Sequence, residues 1–170
     1  MCIRDSYNVM PYNYFGNESL SQISNDMVDW VLVEARSGTP NQSGSKGTVT
    51  VETKAGILRA NGMVTDVNGN PLLFTSLNPS DSYYFCVRHR NHLDILTANS
   101  LLANGTASYD LTSSVNQAFG NQQMVLSTDG FAMFFGGDFN SDGVIQVTDS
   151  DAWEEQPALV DVYSLSLIHI

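Results

Sequence analysis

The sequence predicts an all-β protein, an antiparallel sandwich that ends in an acidic loop and one short helix. About seven or eight short runs rich in β-branched and aromatic residues follow one another, separated by turn-forming pairs such as Asn-Gly. Hardly any stretch before residue 149 has the apolar spacing that a helix needs. Strands at this spacing are typical of a Greek-key, immunoglobulin-like sandwich.

The two ends of the chain indicate foreign sequence. Residues 165–170 can be encoded by CTGTCTCTTATACACATC, and the reverse complement of that DNA, in another frame, encodes residues 1–6. This DNA resembles the transposon end used as a sequencing adapter. We therefore expect both ends to be translated adapter, exclude them from fold prediction, and expect the natural reading frame to continue beyond both joins.

Composition limits the classes of partner. Roughly 160 residues remain without the ends, enough for one domain with a sizeable core. The net charge of −11 is unchanged by the trimming, because Arg4 and Asp5 are removed together. Such an acidic chain disfavours nucleic acid and anionic membranes as partners and favours cations. No apolar run approaches the ~20 residues of a membrane span, and without Cys2 the remaining Cys86 has no partner for an internal disulfide.

The elements follow in order along the chain. Residues 7–26 are rich in Tyr, Asn, Ser and Gly without helical period, and predict an irregular lead-in or a strand folded over the surface. The alternation in VDWVLVEAR, residues 28–36, predicts a strand with one well-buried face. Residues 37–47 are dense in Gly, Ser, Asn and Pro and predict a loop.

Further strands complete a predicted sandwich domain over residues 27–135. They are expected in TVTVETK, ILRANGMVTD, LLFTSL, SYYFCVRHR, TASYDL, QMVLST and FAMFFG. Asn61-Gly62 and Asn68-Gly69 suit turns that need positive φ, so the segments around them could form a local meander.

The most specific motif lies in GGDFNSDGVIQVTDSDAW, residues 136–153. With Asp138 as position 1, side-chain oxygens fall at positions 1, 3, 5 and 12 and a glycine at position 6, which is the spacing of a calcium loop. The predicted ligands are Asp138, Asn140, Asp142, the carbonyl of Val144, Gln146 (often through water) and Asp149. The alternative is a plain acidic β-turn, since turns use the same residue types.

Three details modify the calcium prediction. An ordinary EF-hand loop closes with Glu, whereas this one closes with the shorter Asp149. The preceding FAMFFGG favours a strand instead of a helix, and only one loop is present, although calcium loops usually pair. A short helix is expected to start near Thr148 or Asp149 and to be limited by Pro157.

These details are what a dockerin-type repeat would show, and GDFNSDGVIQVTDSDAW resembles the calcium loop and first helix of a type I dockerin-like repeat. The resemblance implies that residues 136–160 are the first half of a duplicated unit and that a cohesin-like protein is a partner. It also implies a role for each matching position: Asp138, Asn140, Asp142 and Asp149 as side-chain ligands, Val144 as the carbonyl ligand and Trp153 as the inward-packing helix residue.

The resemblance extends upstream over most of residues 12–155. NYFGNESL, VDWVLVEARSG, YYFCVRHRNHLDILTA, SYDLT, NQAFGN and GFAMFFGGDFNSDG resemble a module found near the C-terminal end of large secreted bacterial surface proteins, often labelled hemagglutinin-like or dockerin-containing. It implies export to the cell surface or the extracellular space and a setting of display or adhesion. It implies no chemistry for the sandwich itself.

A second candidate ligand site is RHRNH, residues 88–92. On a straight strand its two histidines point to opposite faces, so they would share a metal only if the chain bent at Asn91. Its two arginines are expected on one face, where they pair with carboxylates such as Asp94 or Asp110, or contact an anionic or sugar ligand. Ion pairing is the favoured interpretation, and the candidate ligand-binding residues are Arg88, His89, Arg90 and His92.

No catalytic constellation stands out. Cys86 lies mid-strand and is expected to be a core thiol, no spacing singles out a pair of acids, and aromatic residues such as Trp30 are more often core than sugar platforms. The sequence thus predicts a non-catalytic calcium-binding module of a secreted or cell-surface bacterial protein, acting in adhesion, display or assembly. Two alternatives remain: a carbohydrate-binding accessory module of a polysaccharide-degrading protein, docked through cohesin–dockerin pairing, and an inert spacer in an adhesin.

Overall fold

The structure is a computed structural model that describes residues 7–41 and 47–154. The described residues form eight strands, one 3-10 turn and one helix. They are β1 Met27–Gly38, β2 Thr48–Arg59, β3 Val64–Thr65, β4 Ser82–His89, β5 His92–Leu96, β6 Leu101–Leu102, the 3-10 turn Val115–Gln117, β7 Met124–Leu126, β8 Ala132–Phe134 and α1 Val147–Glu154. Strands with antiparallel pairing and almost no helix confirm the all-β prediction.

The strands form two sheets. The larger has six strands in the order β3-β2-β1-β4-β5, with β6 paired to β4, and the smaller contains β7 and β8. Single bridges connect them to the intervening chain: His92 opposite Gly136 and Thr97 opposite Ala118. The first of these bridges brings the acidic loop to the edge of the large sheet.

β1 is the central strand, and it is buried on both faces from Asp29 to Ala35. The prediction of one buried face is wrong here, because segments outside the strands cover both faces of β1. Trp30 and Leu32 pack on one face, and Val31 and Val33 pack on the other. Each such side chain contributes roughly 1.5–3 kcal/mol through its burial.

The predicted lead-in supplies the cover for one face. Tyr7 is fully buried against Trp30, and its hydroxyl donates to the Trp30 carbonyl at 2.9 Å. Tyr12, Tyr14 and Leu20 pack around the same cluster. The segment forms no strand between residues 7 and 26, in agreement with an irregular lead-in, but it contributes to the core.

The opposite face is covered by residues 72–74. Leu72 and Phe74 pack against the Val31 and Val33 side, and the Phe74 ring meets Phe85 edge-on at 5.4 Å between centroids. These residues form no strand, so the expected strand LLFTSL is wrong: the segment follows the Thr65–Pro71 bridge and packs through side chains without a ladder of backbone hydrogen bonds.

Other boundaries also differ from the sequence prediction. TASYDL forms no strand, and TVTVETK and ILRA join into the single strand β2. α1 begins at Val147, just before the expected start. Gly62 and Gly69 have φ of +83° and +86°, as their turns require. No helix in the described part of the chain is both long and apolar enough to cross a membrane.

Candidate calcium loop and its contacts with the sheet

The acidic loop, residues 138–149, is anchored at the turn between β4 and β5. Gly137 donates its N–H to the carbonyl of Asn91 at 2.8 Å, immediately before the loop begins. Within the loop, the Ser141 hydroxyl lies 2.8 Å from the hydroxyl of Tyr12 in the lead-in. The loop therefore has contacts with two separate parts of the fold.

Asp138 organises the first half of the loop. Its Oδ1 accepts the N–H of Asp142 and its Oδ2 accepts the N–H of Gly143, each at 3.0 Å. Ser141 and Gly143 have φ of +58° and +86°, so the chain curls around this carboxylate. Asp138 is almost completely buried, with 2% of its surface exposed.

Asp149 closes the loop. Its Oδ1 accepts the N–H groups of Phe139 at 2.8 Å and Asn140 at 3.1 Å, and its Oδ2 accepts the N–H of Gln146 at 2.8 Å. The last of these bonds is the capping arrangement in which an acid in the first helical turn reaches back to the residue before the helix. One buried side chain thus joins the start of the loop to the start of α1.

Asn140 and Asp142 form a more exposed layer. Asn140 Oδ1 accepts the N–H of Asp142 and its Nδ2 donates to Asp142 Oδ2, both at 3.0 Å. Asp142 also accepts the N–H of Val144 at 2.9 Å and the Gln146 amide at 3.2 Å. The residues at positions 3, 5 and 9 are therefore joined by side-chain hydrogen bonds.

Basic side chains among the described residues do not neutralise the negative charge of the loop. No Lys, Arg or His of the described residues forms an ion pair with Asp138, Asp142 or Asp149. Burial and the nearby charges of Asp149 and Asp142 raise the pKa of Asp138, although the Gly143 N–H opposes the shift. For Asp149, burial is outweighed by the N–H groups of Gln146, Asn140 and Phe139, which lower its pKa.

The donor set fits a hard cation such as Ca²⁺, which takes about 6–8 oxygen ligands in flexible geometry. Asp138 and Asp149 are both buried in the loop, and Asn140 and Asp142 lie beside them. A carboxylate offers about four lone-pair positions, so Asp138 retains acceptor capacity beyond its two hydrogen bonds. Within the described ranges, however, no three His, Cys, Asp or Glu side chains are gathered as a ready metal-binding group.

Two of the predicted calcium ligands, Val144 and Gln146, lie in the exposed part of the loop. Val144 is 54% exposed, and the side-chain amide of Gln146 donates to Asp142. The prediction that Trp153 packs inward falls on a side chain outside the described part of the structure. The two ends expected to be adapter, residues 1–6 and 165–170, also lie outside the described residues, as do residues 155–160 of the predicted repeat.

The second candidate site, residues 88–92, has a different geometry from the predicted one. The chain turns at Arg90 and Asn91, so His89 and His92 face each other across the β4–β5 hairpin with their Nδ1 atoms 2.8 Å apart. The expectation that they point to opposite faces is wrong, because it assumed one continuous strand. His89 Nε2 is in turn 3.0 Å from Asp29 Oδ2. The imidazoles form a buried hydrogen-bonded chain.

The two arginines pair with separate acids. Arg90 Nη2 donates to both carboxylate oxygens of Asp29 at 3.0 Å. Arg88 donates through Nε to Asp94 Oδ2 at 2.7 Å and through Nη1 to Glu34 Oε1 at 3.1 Å. Asp29 and Glu34 are five residues apart on β1 and point to opposite faces, so the arginines do not share one pairing surface.

The ion pairing expected of this cluster is confirmed for Arg88 with Asp94. Pairing with Asp110 is wrong, since that carboxylate instead accepts the N–H and hydroxyl of Thr112. The sequence did not indicate Asp29 and Glu34 as partners of the arginines, because both acids lie far from residues 88–92 along the chain. Burial raises the pKa of the Cys86 thiol, in agreement with a core role for that residue.

Comparisons with known proteins add no relative: no protein-family model matches the chain, and searches of curated proteins and of solved structures find no significant match.

Proposed function

We propose that residues 138–149 bind Ca²⁺ and that the chain is a non-catalytic, calcium-binding module. The observation that carries this proposal is the wrapped loop with three carboxylates, two of them buried, and no basic partner in the described residues. Buried negative charge is costly without a compensating charge. A bound divalent cation removes that cost and holds the loop closed.

The surrounding context belongs to the same proposal. The loop-helix unit is the first half of a dockerin-like repeat with a cohesin-like partner, and the sheets belong to a Greek-key, immunoglobulin-like sandwich. The module acts in adhesion, display or assembly of a secreted or cell-surface bacterial protein. Support comes from the residue spacing, the strand before the loop and the short helix after it.

Calorimetric titration of the chain with CaCl₂ tests the proposal. We expect saturable binding, and thermal stability that rises with calcium and falls with a chelator. At about 100 times the dissociation constant, the gain in unfolding free energy should be about 2.7 kcal/mol. Asp138→Asn keeps the size of the side chain and removes its charge, so it should abolish both the heat and the stabilisation.

Asp129→Asn is the matched control, because Asp129 is an exposed acid in the turn between β7 and β8. Its titration should equal that of the parent chain. Absence of calcium heat in the parent chain, or equal heat in Asp138→Asn, would remove the proposal.

A further inference from the structure

A polar cavity of about 210 Å³ lies beside Arg88, on the sheet face that carries Glu34. Its walls combine charged, amide, aromatic and aliphatic side chains. The lining residues are Glu34, Arg36, Cys86, Arg88, Asp94, Leu96, Phe119 and Gln123. It is separate from the acidic loop and lies between the sheet and residues 119–123.

The charges of the cavity balance. Glu34 and Asp94 face Arg36 and Arg88, and Glu34 accepts hydrogen bonds from both arginines. An anion such as phosphate would meet two carboxylates, and a cation would meet two guanidinium groups. A neutral ligand is repelled by neither pair of charges, and it leaves the existing ion pairs in place.

Some side-chain atoms that line the cavity can still donate or accept a hydrogen bond. Arg88 uses Nε and Nη1 for Asp94 and Glu34, whereas its Nη2 makes no hydrogen bond to any described residue. In the same part of the structure, Asp94 Oδ1 and Gln123 Oε1 also accept no hydrogen bond. The guanidinium plane is fixed by its two acids and by the Tyr12 ring, 5.0 Å from Arg88 Cζ.

This combination matches the chemistry of a sugar. Neighbouring hydroxyls of a sugar ring can donate to a carboxylate oxygen and accept from an arginine at the same time. The Phe119 ring adds an apolar wall for the C–H face. The volume corresponds to about seven waters at roughly 30 Å³ each, which suits one hexose ring.

We propose that the cavity binds a single neutral hexose residue, with two adjacent hydroxyls between Asp94 and Arg88, further contact to Gln123 and the ring against Phe119. The inference goes beyond calcium binding and does not depend on it, because none of the lining residues belongs to the acidic loop.

NMR titration of the isotope-labelled chain tests the inference with three probes: the methyl glycosides of glucose, mannose and galactose. Each is added to about 50 mM, above the millimolar dissociation constant expected of about a dozen non-hydrogen atoms. At least one should cause saturable shifts at Phe119, Gln123 and Arg88. Inorganic phosphate should cause none there.

Two variants locate the site. Gln123→Ala should weaken binding roughly tenfold by removing one hydrogen bond to the ligand. Asp94→Asn should also weaken binding, because it replaces a charged acceptor with a neutral amide. Gln123→Ala leaves every ion pair intact, so it remains informative if Asp94→Asn perturbs the fold. Asn121→Ala, an exposed neighbour outside the lining, should bind as the parent chain does.

The inference is overturned if none of the three glycosides causes saturable shifts, or if phosphate binds at these residues more tightly than the sugars. Unchanged affinity in Gln123→Ala would also overturn it. Repeating the titration in chelator separates the two proposals: sugar binding should persist even when calcium binding is absent.

Discussion

Three aspartates of this protein, two buried and one partly exposed, differ in how their surroundings shift the pKa. Burial raises the pKa of Asp29, but the hydrogen bond to His89 and the charge of Arg90 outweigh it, so the net pKa falls. At Asp94 burial outweighs the Arg88 guanidinium, and the pKa rises to about 6. Asp138 is raised as well, with only backbone N–H groups opposing the effect of burial. The charged groups and N–H donors around each carboxyl group decide the direction of its pKa shift.

Asp94→Asn should change how stability depends on pH. The folded pKa of about 6 lies above the ordinary value of 3.8, so the protonated form is favoured in the folded state. Protonated Asp94 therefore stabilises the folded state. This stabilisation is fully present below about pH 4 and is lost as the pH rises through 6. We expect the unfolding free energy of the variant, relative to the parent, to increase between pH 4 and 7.

The increase in unfolding free energy should be about 1–2 kcal/mol. It is smaller than the pKa shift alone would give, because the Asp94 side chain is partly exposed. Urea unfolding at four pH values measures it, with Asp129→Asn as the control. A difference that stays constant, or that shrinks as the pH rises, would contradict the assignment.

At the scale of elements, the long strands and the turns with glycine could be predicted from local pattern. β1 and β4 follow from alternating apolar residues, and Gly62 and Gly69 mark turns whose φ values only glycine adopts readily. The hairpin turn at Arg90-Asn91 carries no glycine or proline, so local sequence did not distinguish it from continued strand.

The burial of both faces of β1 could not be predicted either, and the reason is different. The cover comes from Tyr7 on one side and from Leu72 and Phe74 on the other, and all three lie outside the strands. Local periodicity records that a side chain is apolar, but not which distant segment covers it. The acidic loop shows the opposite case: the hydrogen bonds within it join residues at most ten apart, so the spacing of its side chains can be recognised in the sequence.

Gly143→Ala and Gly62→Ala separate loop geometry from general backbone strain. Both glycines have positive φ, +86° and +83°, and an added Cβ would meet nothing within 4 Å at either position. Each substitution should therefore cost about 1–2 kcal/mol from backbone conformation alone. Gly143→Ala should weaken calcium binding roughly five- to tenfold, since the loop needs this turn to close.

Gly62→Ala should lower the unfolding free energy by a similar amount and leave calcium affinity unchanged. Calorimetric titration and urea unfolding of both variants give the comparison. Equal calcium affinity in the two variants would show that the conformation of Gly143 plays no part in binding.

At the scale of the whole molecule, Tyr12 connects three parts of the chain. Its hydroxyl contacts Ser141 of the acidic loop at 2.8 Å and the carbonyl of His89 at 3.3 Å. Its ring lies against Arg88 and meets Tyr7 edge-on, 4.8 Å between centroids. Burial raises the pKa of Tyr12 to about 12, so the hydroxyl keeps its proton at neutral pH. These contacts predict that closure of the loop is coupled to the lead-in and to the large sheet.

A double-mutant cycle with Tyr12→Phe and Ser141→Ala measures that coupling. Because the two hydroxyls share one hydrogen bond, the variants should be non-additive by about 0.5–1.5 kcal/mol in unfolding free energy with calcium present. The positive φ of Ser141 adds a conformational cost, which the cycle cancels because it is common to both backgrounds.

Tyr14→Phe with Ser141→Ala is the matched control, because the Tyr14 hydroxyl contacts Glu18 and the N–H of Ala55 instead of the loop. Those two changes should be additive. If Tyr12 and Ser141 are additive as well, loop closure is independent of the lead-in, and calcium would stabilise residues 138–149 alone. If they are coupled, calcium binding at the loop stabilises Tyr12, and with it the cover over Trp30 and the central strand.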